Sequence, residues 1–403
     1  MMIPFKKTEI TPCSLSDMIF QGAETTTIPT PLNIIEAKEV SNGWMISDIN
    51  HQQYIISYNE FTKIENYINQ NLIYRADETV RNRYSNITDY GWFSYFPLSL
   101  ELDITNKCNF NCIHCNRSAN SKRTEELNYT TIERIAQETK SLGVKRIQIL
   151  GGEPTIHPEF YDICKLFANA GASDLFTSTN GWKLNTKTKD ILCSSFNTVQ
   201  VSLHSVNKET HDYIADRENA WDNALESIRV LVAHHVKVIV SMSVIEYNLH
   251  EIEKMAEFAL LIGAQAIRFL ALQEVGRGTK LRPLSPQQLA NAARAIDSLQ
   301  ELYPTLKILS AGFPTHPQPG RYHFLWGCAA GRTLMAIHAN GKVSCCSIVK
   351  EMVGSIYESS IIDIWHNDYF RQLRKIENES CQFANRCGGK CRYKFDNPYI
   401  TKC

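Results

Sequence analysis

Cys108-Asn109-Phe110-Asn111-Cys112-Ile113-His114-Cys115 follows directly on the strand-like run 98–104, LSLELDI. Its three cysteines stand in the spacing C-x3-C-x2-C. Cysteine thiolates are the usual ligands of iron–sulfur clusters. A cubane cluster has four irons, so three thiolates leave one iron open, and an open position on a metal centre can take a substrate or cofactor. The competing reading is a zinc site with His114 as the fourth ligand, although zinc sites usually carry paired C-x2-C units.

One strand–helix unit further on, the run 146–150 (RIQIL) ends in Gly151-Gly152-Glu153-Pro154. Glycine lets backbone approach a ligand closely. A parallel strand delivers Glu153 to the C-terminal edge of its sheet, where α/β folds keep their working groups. The plain alternative is a turn with an exposed glutamate. Taken together, the cysteine triad and GGEP closely resemble the radical S-adenosylmethionine (SAM) superfamily.

That resemblance implies a role for each of these residues. Cys108, Cys112 and Cys115 would hold a 4Fe–4S cluster whose open iron chelates the amino and carboxylate groups of SAM, and electron transfer would then release a 5′-deoxyadenosyl radical. Gly151, Gly152 and Glu153 would receive the SAM amino group, and Phe110 would shield the cluster and flank adenine. The strand ends Ser178-Thr179-Asn180-Gly181 and Ser202-Leu203-His204-Ser205 match later family positions, where hydroxyls bind the SAM carboxylate or ribose. Many relatives carry aspartate where His204 stands. Arg217 is a candidate partner for the SAM carboxylate through its planar fork; the plain alternative is an exposed arginine at a helix end. Ser241 and Asn248 are candidate ribose contacts.

From Leu98 to Leu309 strands and helices alternate, which means a parallel sheet with right-handed crossovers. Six apolar runs read as strands: LSLELDI, RIQIL, DLFTSTN, TVQVSLHS, KVIVSMSVI and AIRFLAL. Helices are expected from Thr130, with Glu133 completing a capping box, and near 159–170, 187–193, 220–234 and 249–261. Six strands are too few for a closed eight-stranded barrel. The resemblance implies an α/β fold with a partial (β/α)6 barrel over 97–310, open on one side to admit a large substrate.

Residues 1–96 form a small α+β region. LNIIEAKEV, GWMISDI and QYIISY read as three strands, the last two a hairpin around Asn50-His51, followed by a helix over Asn59–Asn71. This loosely resembles part of the peptide-recognition element of maturases of ribosomally made peptides; a structural cap is the equal alternative. The stretch 311–321 (AGFPTHPQPGR) reads as a linker.

The segment 311–403 is cysteine-rich. Cys328 is followed by Gly341 and Cys346, then by Cys381-x5-Cys387-x3-Cys391, and Cys403 closes the sequence. CAAGRTLMAIHANGKVSCC reads as a hairpin turning at Asn340-Gly341. The pattern strongly resembles the SPASM domain, which binds auxiliary iron–sulfur clusters. By that resemblance one cluster would use Cys328, Cys346 and Cys391, the other Cys381, Cys387 and Cys403. Asn378 stands where the family has a further cysteine. Seven cysteines, counting Cys345, cannot complete two fully thiolate-ligated clusters, so one or two auxiliary clusters remain open, as does a zinc site.

Composition bounds the rest. Hydrophobic residues make up 43% of the 403 residues, enough for a sizeable core. Lys+Arg and Asp+Glu both number 42, which argues against a nucleic-acid partner, since phosphate-backbone binders usually carry a basic excess. No apolar run of membrane-spanning length and no signal-peptide core is present. Thirteen cysteines without an export signal read as metal ligands in a reducing cytoplasm, apart from Cys164 and Cys193, which read as buried helix residues, and Cys13, which is isolated and carries no reading. The expected function is that of an oxidoreductase: a radical SAM maturase that cross-links a ribosomally made precursor peptide, drawing electrons from a flavodoxin or ferredoxin. The alternatives are oxidation of a small molecule (a tetrapyrrole or aminoglycoside-like intermediate), maturation of a protein such as a sulfatase, and a non-catalytic iron–sulfur or zinc scaffold.

Overall fold

The computed structural model describes residues 34–40, 43–48, 53–56, 96–144, 146–313, 330–331, 333–349 and 351–375. Near the N-terminus, β1 (Ile34–Val40), β2 (Gly43–Asp48) and β3 (Gln53–Ile56) pair antiparallel in chain order. These are the three strands read from the sequence, with Trp44 opposite Ile56 across the β2–β3 pair. The helix expected over Asn59–Asn71 lies outside the described residues.

The main sheet begins with β4 (Ser99–Thr105), α1 (Tyr129–Leu142), β5 (Arg146–Gly151), α2 (Phe160–Asn169), β6 (Asp174–Thr179) and α3 (Thr186–Ser195). It continues through β7 (Thr198–Ser202), α4 (Lys208–Ala215), α5 (Ala220–Ala233), β8 (Lys237–Val244) and α6 (Ile252–Leu261). The last units are β9 (Ala266–Ala271), α7 (Pro286–Leu302) and β10 (Lys307–Ala311). Strand order equals chain order from β4 to β10, and every neighbouring pair is parallel.

This order decides the architecture. Right-handed crossovers put every helix on one side of the sheet unless the strand order reverses. It does not reverse, and a single apolar core joins helix residues such as Ile132, Phe167, Leu192, Leu231, Met255 and Leu299 to the strands. A sheet covered on one side only curls into a partial barrel. The six expected strands are all present. A seventh, β10, extends them, pairing Lys307 with Ala266.

Side chains alternate across each strand. Leu100, Leu102, Ile104, Ile149, Val201, Val240 and Phe269 face the helices and are fully buried. The alternate positions face inward and are largely polar. A small apolar island of Phe176, Ile239 and Ala266, with Leu150 and Leu309 beside it, sits among them.

Beyond residue 330 the chain returns to the other edge of this sheet. β11 (Leu334–Ile337) pairs parallel to β4, with Leu334 opposite Ser99, and β12 (Lys342–Ser344) and β13 (Gly354–Ser355) follow antiparallel. The turn falls at Asn340-Gly341 as expected, with Gly341 at φ 77°. Helices α8 (Ile361–Trp365) and α9 (Asp368–Lys375) close the described part.

Two local expectations are corrected. Helix α1 is capped by Asn128, whose side chain accepts from Thr131 N at 2.8 Å, so Thr130 lies inside the helix and forms no capping box with Glu133. Helices α4 and α7 are additional to those expected. Helix α7 carries a legible signal, the capping box of Ser285 and Gln288 around Pro286.

Candidate active site at the mouth of the barrel

The chain leaving β4 forms the cysteine loop, and three separate elements hold it. Cys108 N donates to Asn120 O at 3.1 Å, and Ile113 N donates to Ile214 O at the end of α4 at 3.0 Å. Asn111 Nδ2 donates to Asp216 Oδ2 at 2.8 Å. The third element is the short 3-10 turn Gly276–Lys280 after β9. Arg277 donates its backbone N–H to Cys115 O at 2.9 Å, Nε to Cys112 O at 2.8 Å and Nη2 to Ala119 O at 2.9 Å. Sequence reading missed Arg277. Its only local signal is Gly276-Arg277-Gly278 at a strand end, and a Cβ at Gly276 would collide with the carbonyls of Cys115 and Asn116.

Cys108 is buried and Cys112 and Cys115 are half-buried, against an apolar patch of Phe110, Ala119, Ala215, Ala220 and Trp182. Burial pushes the Cys108 thiol up to about 12, with the charge of Glu153 adding to it. Cys112 is pushed up by burial and then by Cys108 and Cys115. Cys108 and Cys112, desolvated and acted on by the Arg277 cation, with Cys115 beside them in the same loop, are a donor set that positively charged iron would satisfy. These residues therefore fit an iron–sulfur cluster. The zinc reading, with His114 as fourth ligand, finds no support: the His114 ring packs against His204 at 4.5 Å. Among the described residues, no three His, Cys, Asp or Glu side chains close around a single ion.

GGEP is stitched to the same loop. Gly152 N donates to Thr105 O at 2.7 Å and Glu153 N to Lys107 O at 2.9 Å. A Cβ on Gly151 would strike Thr105 O, and one on Gly152 would strike Lys107 O. The glycines thus make room for the protein's own lead-in to Cys108, a reason other than the ligand approach expected from sequence. Glu153 is 2% exposed. Its Oε1 accepts from Thr155 Oγ1 (2.6 Å), Thr155 N (3.2 Å) and Thr179 Oγ1 (2.7 Å), and its Oε2 accepts from Asn180 N at 2.7 Å. Burial pushes the carboxyl up against these hydrogen bonds. Asn180 in turn donates Nδ2 to Asn109 Oδ1 at 2.8 Å inside the cysteine loop.

The remaining candidates fall in two places. Ser178, Ser202 and Ser241 lie on the inner face, Ser202 and Ser241 paired across β7 and β8, and Ser178 Oγ accepts from Gln200 Nε2 at 3.0 Å. Arg217 is exposed just past α4, its guanidinium 4.4 Å from the Trp182 ring centroid. Trp182 meets Phe110 edge-on at 5.6 Å. A cleft of about 660 Å³ lined by Ile113, Trp182, Asp212 and Arg217 opens there. Asn248 is corrected: its Nδ2 donates to the carbonyls of His204 (2.7 Å) and Ser243 (2.9 Å) and its Oδ1 accepts from Ile245 N (2.8 Å), so its amide is occupied by backbone.

Of the C-terminal cysteines, Cys345 and Cys346 are described; Cys328, Cys381, Cys387, Cys391 and Cys403, with Asn378, lie outside the described residues. Cys345 packs into the main core and Cys346 is half-buried beside it. A polar chain runs from this hairpin to the cysteine loop. Ser344 Oγ donates to Cys346 O at 2.7 Å and contacts His338 Nε2 at 2.7 Å. His338 Nδ1 lies 3.3 Å from Asp103, which binds Arg117 through two hydrogen bonds of 2.7 and 3.1 Å. Arg117 is two residues past Cys115.

Comparison with known proteins agrees with this geometry. The radical SAM superfamily matches residues 102–259, and the SPASM iron–sulfur cluster-binding domain matches 328–391. The AdoMet-dependent heme synthase of Methanosarcina barkeri is 27% identical over 323 residues, 74% of this chain and 89% of its own length. The antilisterial bacteriocin subtilosin biosynthesis protein AlbA of Bacillus subtilis is 26% identical over 318 residues, 73% of this chain and 67% of its own length. SuiB of Streptococcus suis, solved with S-adenosylmethionine bound, shares the fold at a TM-score of 0.69 and 16% identity, covering 90% of this chain and 95% of its own. The chain is a radical SAM enzyme: its barrel binds a 4Fe–4S cluster and SAM, and its C-terminal SPASM domain binds auxiliary iron–sulfur clusters.

Proposed function

We propose that this enzyme oxidatively modifies a ribosomally made precursor peptide, forming an intramolecular carbon–carbon or thioether cross-link. One structural observation carries the reading. The SPASM hairpin extends the barrel sheet itself, β11 pairing along β4, the strand that delivers the cysteine loop. Cys346, an expected auxiliary ligand just past β12, is therefore carried by the same sheet whose strand β4 leads into the radical-forming cysteines. Among relatives, AlbA is a bacteriocin biosynthesis protein, and SuiB has been solved bound to its precursor peptide SuiA.

When bound, the cluster and SAM together supply a 5′-deoxyadenosyl radical able to take hydrogen from an unactivated carbon. The chain's own residues position that chemistry. Arg277 and the Glu153–Asn180–Asn109 network fix the cysteine loop, Phe110 and Trp182 cover it with apolar surface, and Arg217 offers a bidentate fork at the cleft. Ser178, Ser202 and Ser241 offer hydroxyls on the inner face. Strands β1 and β3 form the edges of the N-terminal meander, where a leader peptide could add by main-chain pairing. A flavodoxin or ferredoxin in the cytoplasm would supply electrons.

The experiment is to incubate reconstituted enzyme anaerobically with SAM, reductant and a small peptide encoded beside its gene, then weigh the peptide. A cross-link appears as loss of two hydrogens. Substituting Cys381, Cys387 and Cys391 by alanine should leave SAM cleavage intact and stop cross-linking. The heme synthase relative favours a second reading, oxidation of a tetrapyrrole-type small molecule. Unchanged peptide mass alongside turnover of such a molecule would establish that reading instead.

A further inference from the structure

Among the described residues, the inner face of the main sheet holds a cation with no carboxylate in ion-pair contact. Arg268 sits on β9 two residues beyond Ala266, a member of the inner apolar island, and between Ile267 and Phe269, which face the helices. Its side chain therefore enters the inner face. It shares a register row with Ser202 and Ser241. Its Nη1 donates to Gln200 Oε1 at 2.8 Å, and Gln200 is fixed by its own bond to Ser178. The Phe176 ring lies 6.0 Å away. The fork is thus aimed by neutral groups from β6 and β7.

Arg146 provides the contrast. It stands 5.2 Å over the same Phe176 ring but closes on Asp174 at 3.0 Å. Among the described residues, no carboxylate comes within 4.0 Å of Arg268. Glu101, across the inner face on β4, acts on it only at longer range and accepts from Ser347 N at 2.9 Å. Burial and the neighbouring charge of Arg146 pull the Arg268 guanidinium down to about 10. Burial likewise pushes the Glu101 carboxyl up, which weakens the nearest compensating charge. A half-buried cation held by neutral groups gains from an anionic partner that reaches it. An arginine has five N–H donors, and two parallel ones match a carboxylate.

We propose that Arg268 is the substrate anchor of the inner face and binds a carboxylate of the substrate. On the peptide reading, on which the choice of source rests, that carboxylate is an Asp or Glu side chain next to the modified residue. Gln200 is a positioning residue that aims the fork.

The test uses reconstituted holoenzyme with SAM bound, probed by ligand-observed NMR. The probes are the N-acetyl N-methylamides of aspartate, glutamate and glutamine. The acids should bind roughly tenfold more tightly than the amide, as expected for a hydrogen bond to a charged group. Arg268→Gln should erase that preference, and Arg268→Lys should retain part of it, while iron content and SAM affinity stay at the wild-type level. Equal binding of acid and amide to the wild type would overturn the proposal. So would a tenfold loss of SAM affinity in Arg268→Gln with the acid preference intact, because the fork would then serve SAM. Arg268-dependent binding of a porphyrin propionate but not of the amino-acid derivatives would sustain the carboxylate anchor and overturn its peptide source.

Discussion

Glu153 shows how one side chain joins two parts of the site. Its carboxylate reaches from the end of β5 to Thr179 and Asn180 at the end of β6, and Asn180 reaches on to Asn109 between two cluster cysteines. Thr179 and Asn180 are both buried. Glu153→Ala would leave the buried Asn180 N–H without its acceptor, which costs about 1–3 kcal/mol. It should also weaken SAM binding while changing iron content little. Denaturant unfolding and SAM titration of the variant check both effects, and unaltered values in both would remove Glu153 from the site. The motif GGEP was legible in the sequence because its residues are contiguous. Two of its four donors come from Thr155 beside the motif; the other two were not legible, since Thr179 and Asn180 meet Glu153 only through strand pairing.

At the scale of elements, two strand exits and one turn build the cysteine loop. The β5 exit pairs with the lead-in to Cys108, and glycines at 151 and 152 are required by backbone contact. The turn after β9 supplies Arg277, whose three donors end on carbonyls of the loop. Arg277→Ala should therefore lower occupancy of the SAM-binding cluster and leave the C-terminal iron in place. Iron content and 5′-deoxyadenosine formation would show it, and full activity in the variant would mean the loop holds itself. Arg277→Lys should rescue little, because an ammonium lacks the planar fork that spans Cys112 and Ala119. Helix α7 was readable from Ser285-Pro286 and Gln288. The cap of α1 was not, because Asn128 and Thr130 are both acceptable caps and packing of Ile132 and Ile135 sets the helix start.

At the scale of the whole molecule, a histidine stack ties the barrel mouth together. His114 from the cysteine loop, His204 after β7 and His211 on α4 pack ring to ring, and His204 N donates to His211 Nδ1 at 3.0 Å. Burial pushes His211 down to about 4, below the ordinary value near 6.5. Between these values the unfolded chain takes a proton that the fold refuses. The stabilisation is thus complete above about pH 6.5 and drains as pH falls toward 4, by up to about 3 kcal/mol. Thermal midpoints of the holoenzyme at pH 7.5 and 5.5 should differ less in His211→Gln than in wild type; equal differences would place the titration elsewhere. The sequence by itself determined the chemistry and the fold class. Cluster ligands must be cysteines at fixed spacing, and parallel strands must alternate with amphipathic helices, so both leave local patterns. Only the tertiary structure decided what surrounds them: Arg277 on Cys112, His338 on Asp103, and Arg268 on Gln200. These partners lie far apart in the chain, 165 residues for Arg277 and Cys112, and they meet because an unreversed strand order rolls the sheet and brings its two edges and loop ends around one inner face.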